Sequence, residues 1–229
     1  MKTFDFGYGT VPAHRHINPD KSIGGWVADT AQVADTAQVS DSAWVFGDAR
    51  VFGNAQVSDS AWVFGDARVF GDAQVFGNAQ VSGNAWVYDN ARVSGNARVY
   101  GDAQVSGNAQ VSGNAQVFGD ARVFGNAQVS DNAWVYDNAR VSGNAYVSGN
   151  AQVYGDARVT YNPICISGLY WPVTITDNHM QIGCEIHLKT EWLDFSDTRI
   201  KLMDKRALEF WNQYKNILLS LCDRSKQIV

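Results

Sequence analysis

Between Trp26 and Thr160 the chain contains no lysine, glutamate, histidine, cysteine, proline, leucine, isoleucine or methionine. Without histidine this stretch has no imidazole to act as a general base. With arginine as its only base and aspartate as its only acid, it offers no broad basic patch for nucleic acid. The formal net charge of −5 arises here, and the flanking segments are close to neutral. Cysteine is scarce throughout: Cys165, Cys184 and Cys222 all follow the stretch. An odd number without a leader-like segment predicts a reducing, cytoplasmic setting. No hydrophobic run reaches membrane length, so no membrane association is expected.

What the stretch does contain is a valine at every sixth position from Val27 to Val159, without a break. The unit reads Val, then Phe, Tyr or Ser, then Gly or Asp, then Asn or Asp, then Ala, then Gln, Arg or Trp. A helix needs apolar positions every three to four residues, and a flat strand needs simple alternation. Neither period is six. Ala-Gln-Val-Phe alternates inward and outward, and the Gly-Asn or Gly-Asp pair tolerates positive φ and turns the chain. Each hexapeptide is therefore one short strand and one corner. Three sides close a triangle of eighteen residues, and about seven such coils stack with parallel hydrogen bonding at ~4.8 Å spacing.

Positions eighteen apart then form vertical columns of shared character. One side carries Trp26, Trp44, Trp62 and Trp134 before valine, and Phe46, Phe64, Tyr100, Phe118, Tyr136 and Tyr154 after it. The second carries Arg50, Arg68, Arg122, Arg140 and Arg158, with Phe52, Phe70, Tyr88 and Phe124 following valine. The third is neutral and polar, with Gln38, Gln56 and Gln74 among the residues before valine and serines after it. Corner aspartates Asp48, Asp66, Asp102 and Asp120 share a column and are read as turn formers, with cation binding as the alternative.

The unit Val105-Ser-Gly-Asn-Ala-Gln110 resembles the left-handed β-helix of hexapeptide-repeat proteins, with glycine one place later than is usual there. The resemblance implies a left-handed coil and assembly into trimers with parallel axes. Many proteins of that kind are acyltransferases, whose chemistry needs a histidine base and usually a loop interrupting the coils. Residues 27–159 have neither, so no catalytic residue is assigned within them.

Three regions are expected: an N-terminal lead-in over 1–25, the solenoid over 26–160, and an α+β cap over 161–229. The lead-in contains Val11-Pro-Ala-His-Arg-His16 and runs into Gly24-Gly-Trp-Val27. Together with the repeats it resembles phage and prophage hexapeptide-repeat proteins of unassigned role. His14 and His16 are read as part of a cap over the first coil, with metal binding as the alternative. In the cap, Ile164–Ile166 and Trp171–Thr176 read as strands, and Asp177-Asn178 as a turn returning through His179–Ile182. Ser196-Asp197 offers a helix start, and Ile200, Met203, Ala207, Trp211, Tyr214, Leu218 and Leu221 recur at helical spacing. Cys165, His179, Cys184 and His187 form the one cluster with the chemistry of a zinc site, at irregular spacing.

The favoured function is a non-enzymatic binding or scaffold protein working through the aromatic and Arg/aromatic faces, as a homo-oligomer or with a protein partner. No cofactor is expected beyond the possible zinc. One alternative is an acyltransferase- or hydrolase-type enzyme using the histidines and cysteines outside the repeats. Another is an acidic nucleic-acid mimic, which the arginine column opposes.

Overall fold

A computed structural model describes residues 2–224. Strands β1 (Thr3–Asp5), β2 (Thr10–Ile17) and β3 (Ile23–Ala28) form an antiparallel lead-in. Twenty-two two-residue strands follow, from β4 (Gln32–Val33) to β25 (Arg158–Val159). Each pairs in parallel with the strand of a neighbouring coil eighteen residues away, as in Trp44↔Trp62, Arg68↔Arg50 and Gln74↔Gln56. The result is a three-sided parallel β-solenoid of about seven coils, and no loop interrupts it.

The period of six produces this because valine and alanine alone point inward. From Ala37 to Val159 every repeat valine and alanine is at most 3% exposed. Only Val33 and Ala31, in the first coil, are partly open. From Asp41 to Gly155 each corner begins in the left-handed region, as at Gly107 with φ 66°. A Cβ at Gly107 would lie 3.0 Å from the amide nitrogen of Gly125 in the next coil. Glycine is therefore required there by both conformation and stacking.

Aspartate occupies the same corner position at Asp41, Asp59, Asp89, Asp131 and Asp137, all with positive φ. Its carboxylate compensates by accepting the next coil's corner amide, as from Asp59 to Gly77 at 2.8 Å. The second corner residue forms amide ladders. Asn78, Asn96, Asn114, Asn132 and Asn150 are joined in sequence, each donating Nδ2 to the next Oδ1 at 3.0–3.3 Å.

Both ends are covered in part. At the first coil, buried His16 donates Nε2–H to the Ala37 carbonyl at 3.0 Å, and Asn18 Oδ1 accepts the Val39 amide at 2.9 Å. At the last coil, the turn residue Asn178 accepts the Arg158 amide at 3.0 Å. Asp177 accepts from Thr160 and returns its own amide to the Arg158 carbonyl, and Asn162 accepts the amide of Tyr146 at 2.8 Å.

The C-terminal unit has a four-stranded antiparallel sheet of β26 (Ile164–Ile166), β27 (Val173–Ile175), β28 (His179–Ile182) and β29 (Glu185–Leu188). Helices α1 (Lys189–Asp194), α2 (Asp197–Lys201) and α3 (Ala207–Arg224) pack on it. The strand read over Trp171–Thr176 is shorter, because Pro172 precedes it without an amide to donate. The single helical stripe from Ile200 onward is two helices. Leu202 ends α2 and the Asp204 carboxylate accepts the Arg206 amide at 2.8 Å, opening a turn before α3. Helix α1 carries no periodic signal; it begins where Glu191 accepts the Leu188 amide at 2.8 Å.

Candidate functional site

The columns predicted on the first side are in register, Trp26, Trp44, Trp62, Gln80, Arg98, Gln116, Trp134 and Gln152 in turn, and the rings of Trp44 and Trp62 stack at 4.8 Å. Side chains on neighbouring strands project in parallel at the strand spacing, so rings stack face to face. Phe46 and Phe64 have centroids 4.9 Å apart and an interplanar angle of 2°. A second ladder runs Tyr100, Phe118, Tyr136, Tyr154, each pair at 4.9 Å, with Trp134 edge-on to Phe118 at 6.3 Å. Ser82 separates the two. Burial among stacked rings pushes the phenols of Tyr100, Tyr136 and Tyr154 upward, most strongly at Tyr154.

The lower aromatic group has a cover within the chain. Phe4 stacks on Trp26 at 4.4 Å and meets Trp44 edge-on at 5.3 Å, and Phe6 stacks on Phe46 at 4.9 Å. Phe6 and Phe46 are buried in a small core that also touches Trp62 and Phe64. Sequence periodicity missed Phe4 and Phe6 because they lie outside the repeat; their alternation along Thr3–Phe6 was the available signal. The upper ladder lies beyond this strand, and its Trp134 is 40% exposed.

On the second side the lower half is a ring ladder, Phe52, Phe70 and Tyr88, at 4.9 Å per step. Arg68 lies over Trp86 at 5.0 Å, a cation–π contact, and Arg50 stands beside Arg68 in register. In the upper half Arg122, Arg140 and Arg158 stack directly and are exposed. Among the described residues no ion pair joins this arginine row to a carboxylate within 4 Å. Phe124, 39% exposed, adjoins it.

The structure does not gather the proposed zinc ligands: among the described residues no group of three or more His, Cys, Asp or Glu side chains is placed to hold a metal ion. Cys165 lies on β26 opposite Thr174 and Cys184 is in the β28–β29 turn, both exposed. His187 Nε2 is 2.9 Å from Glu185 Oε2, and its ring meets Trp192 and Phe195 edge-on. His179 has a buried Nδ1 with no hydrogen-bond partner, and burial lowers its pKa. No hydrogen bond joins a thiol to an imidazole among the described residues. His14 is apart from His16: its Nδ1 meets Asp29 at 2.9 Å on the surface.

The fold and its faces define a β-solenoid repeat protein. The chain is similar to the YdcK beta solenoid repeat, matched at residues 73–89, 79–93, 91–107, 103–117, 115–131, 133–149 and 151–162. No curated protein matches the chain. No helix among the described residues is long and apolar enough to cross a membrane.

Proposed function

We propose that this is a non-enzymatic binding and scaffold protein that self-associates through the upper halves of its first two sides. The observation that carries the reading is the exposed row Arg122, Arg140 and Arg158, with no carboxylate partner, at the same height as the half-buried ladder Tyr100 to Tyr154 and exposed Trp134 on the adjacent side. Guanidinium groups bind aromatic faces. Two different patches of one chain that complement each other make a heterologous contact, which closes into a ring when the rotation allows. A triangular prism with parallel axes suits three copies, each setting its arginine side against the next copy's ring side. The resemblance of the lead-in to phage and prophage proteins suggests an accessory role in that setting, in the host cytoplasm.

Light scattering coupled to size exclusion tests this at micromolar concentration. The wild type is expected to be trimeric, and Trp134→Gln or Arg140→Gln to shift it toward monomer without loss of the fold. Gln already occupies both columns, at Gln116 and Gln104. A monomeric wild type would overturn self-association.

A further inference from the structure

We infer that the outer edge of β4, at the open end of the first coil, accepts an extended peptide segment of a protein partner, one that carries an aromatic side chain with a carboxylate two residues away. The edge faces along the prism axis, so assembly through the upper sides leaves it free.

Two of the three sides of the first coil are closed by the lead-in. On the first side β2 pairs with β3. On the third, Asn18 Oδ1 accepts the Val39 amide at 2.9 Å and His16 donates to the Ala37 carbonyl at 3.0 Å. The corresponding groups on the second side, six residues earlier, are the Val33 amide and the Ala31 carbonyl. Gln32 and Ala34 send their amides to the Ala49 and Val51 carbonyls of the second coil, so Val33 between them turns its amide and carbonyl the other way. Strand β4 is the terminal strand of its sheet, and among the described residues nothing bonds to that edge.

The side chains beside the edge form an incomplete ring ladder. Phe70 stacks on one face of Phe52 at 4.9 Å, and the other face looks toward Ala34, eighteen residues earlier, which is too small to cover it. The first side shows what fills such a place. There Phe64 stacks on one face of Phe46, alanine again stands eighteen residues earlier at Ala28, and Phe6 of the lead-in takes the free face at 4.9 Å. Phe46 is consequently 9% exposed, and Phe52 40%.

An unpaired donor and acceptor on one strand edge are complemented by another strand, whose alternate side chains then supply specificity. A ring in the Ala34 layer gains the contact that Phe6 makes on the first side. No carboxylate lines the opening. Exposed Arg50 in its wall has no carboxylate partner among the described residues, and His14 at its rim is already held by Asp29. The charge that suits a bound strand is therefore negative. Residues two apart on a strand share a face, which sets the carboxylate two positions from the ring.

Fluorescence anisotropy on the full chain tests this with the labelled peptide Ser-Thr-Glu-Thr-Tyr-Thr-Ser, and with forms in which its Tyr is replaced by Ala or its Glu by Gln. The parent peptide is expected to bind about three- to ten-fold more tightly than the Ala form, and the Gln form more weakly than the parent at low salt. Val33→Pro removes an amide that bonds to nothing in the chain, so this variant should keep the wild-type circular dichroism and melting temperature while losing peptide binding. Phe52→Ser should abolish the preference for Tyr over Ala; serine already occupies that column at Ser106 and Ser142. Phe124→Ser removes a comparably exposed ring higher in the same column and should leave binding unchanged. No binding to a folded wild type, equal binding of the Tyr and Ala forms, or binding that survives Val33→Pro overturns the proposal. Equal affinity for the Glu and Gln forms overturns the part given to the carboxylate. The trimer expected from the upper faces is unaffected by Val33→Pro, so a mass in light scattering that falls in this variant would place a second copy on the edge and overturn the partner assignment.

Discussion

The carboxylate of Asp177 accepts two hydrogen bonds from Thr160, one from its amide at 2.7 Å and one from its hydroxyl at 2.6 Å. A turn of the C-terminal hairpin thus completes a strand that no further coil completes. Asp177→Ala is expected to cost about 1 kcal/mol, at the low end for a lost charged acceptor because water reaches exposed Thr160. Combining it with Asn178→Ala should roughly double the loss. Removing residues 162–229 should expose the whole coil edge and cause aggregation. Urea unfolding and light scattering check both, and a monodisperse truncated protein would contradict the capping role.

The corners predict a ranking among substitutions. Gly107→Ala meets both a positive φ and a backbone atom at 3.0 Å, whereas Gly149, with φ 66°, has nothing within 4 Å of an added Cβ. Gly107→Ala should therefore cost more than Gly149→Ala, which carries only the conformational strain of about 1 kcal/mol. Asp59→Gly should be the mildest, since it relieves φ 59° while losing the bond to the Gly77 amide. Denaturation midpoints measured on the three variants test the order. Equal losses would mean that stacking between corners is immaterial.

Deleting residues 59–76 removes one whole coil and leaves every column continuous, so the shortened protein should remain folded and soluble. Deleting six residues rotates all later faces by one side. It moves Arg158 and Thr160 away from Asp177 and Asn178, and should lower the melting temperature and promote aggregation. Equal tolerance of both deletions would contradict the three-sided register.

The repeat was readable because each of its chemical choices recurs: Val for the interior, Gly or Asp for the left-handed corner, and rings at fixed columns. The Asp177-Asn178 turn was also readable, from its residue types. Contacts made once were not. Nothing periodic announces that Phe4 stacks on Trp26 or that His16 reaches the Ala37 carbonyl. The break at Leu202–Arg206 was hidden because Ile200, Met203 and Ala207 keep helical spacing across it. The open edge of β4 was hidden as well, since Val33 keeps the period of six and only the missing cover sets it apart.

The tyrosine ladder makes stability fall in alkali. Tyr100, Tyr136 and Tyr154 have phenols raised by burial above the ordinary value of about 10. Groups whose pKa is higher folded than unfolded stabilise the fold fully below the unfolded value, and that contribution is lost as pH rises through the folded one. Unfolding free energy should thus decline above about pH 10. Ultraviolet absorbance should show these three phenols ionising above the ordinary value, and Tyr154→Phe should lessen the decline. A wild type with equal stability at pH 9 and above pH 10 would contradict this.

The near-identity of adjoining coils has a consequence for finding the native alignment. Residues 41–58 and 59–76 differ only at Asn54/Asp72 and Ser58/Phe76, and the first difference forms a bond, Asn54 Nδ2 to Asp72 Oδ1 at 3.0 Å. A chain that skipped one coil while winding would still fill its interior with valine and stack most of its rings. The interior therefore discriminates weakly against a slip of eighteen residues. Discrimination falls to the features that occur once, Phe4 and Phe6, His16 and Asn18, Asp177 and Asn178, which act as keys at the two ends and accept only the correctly counted spiral.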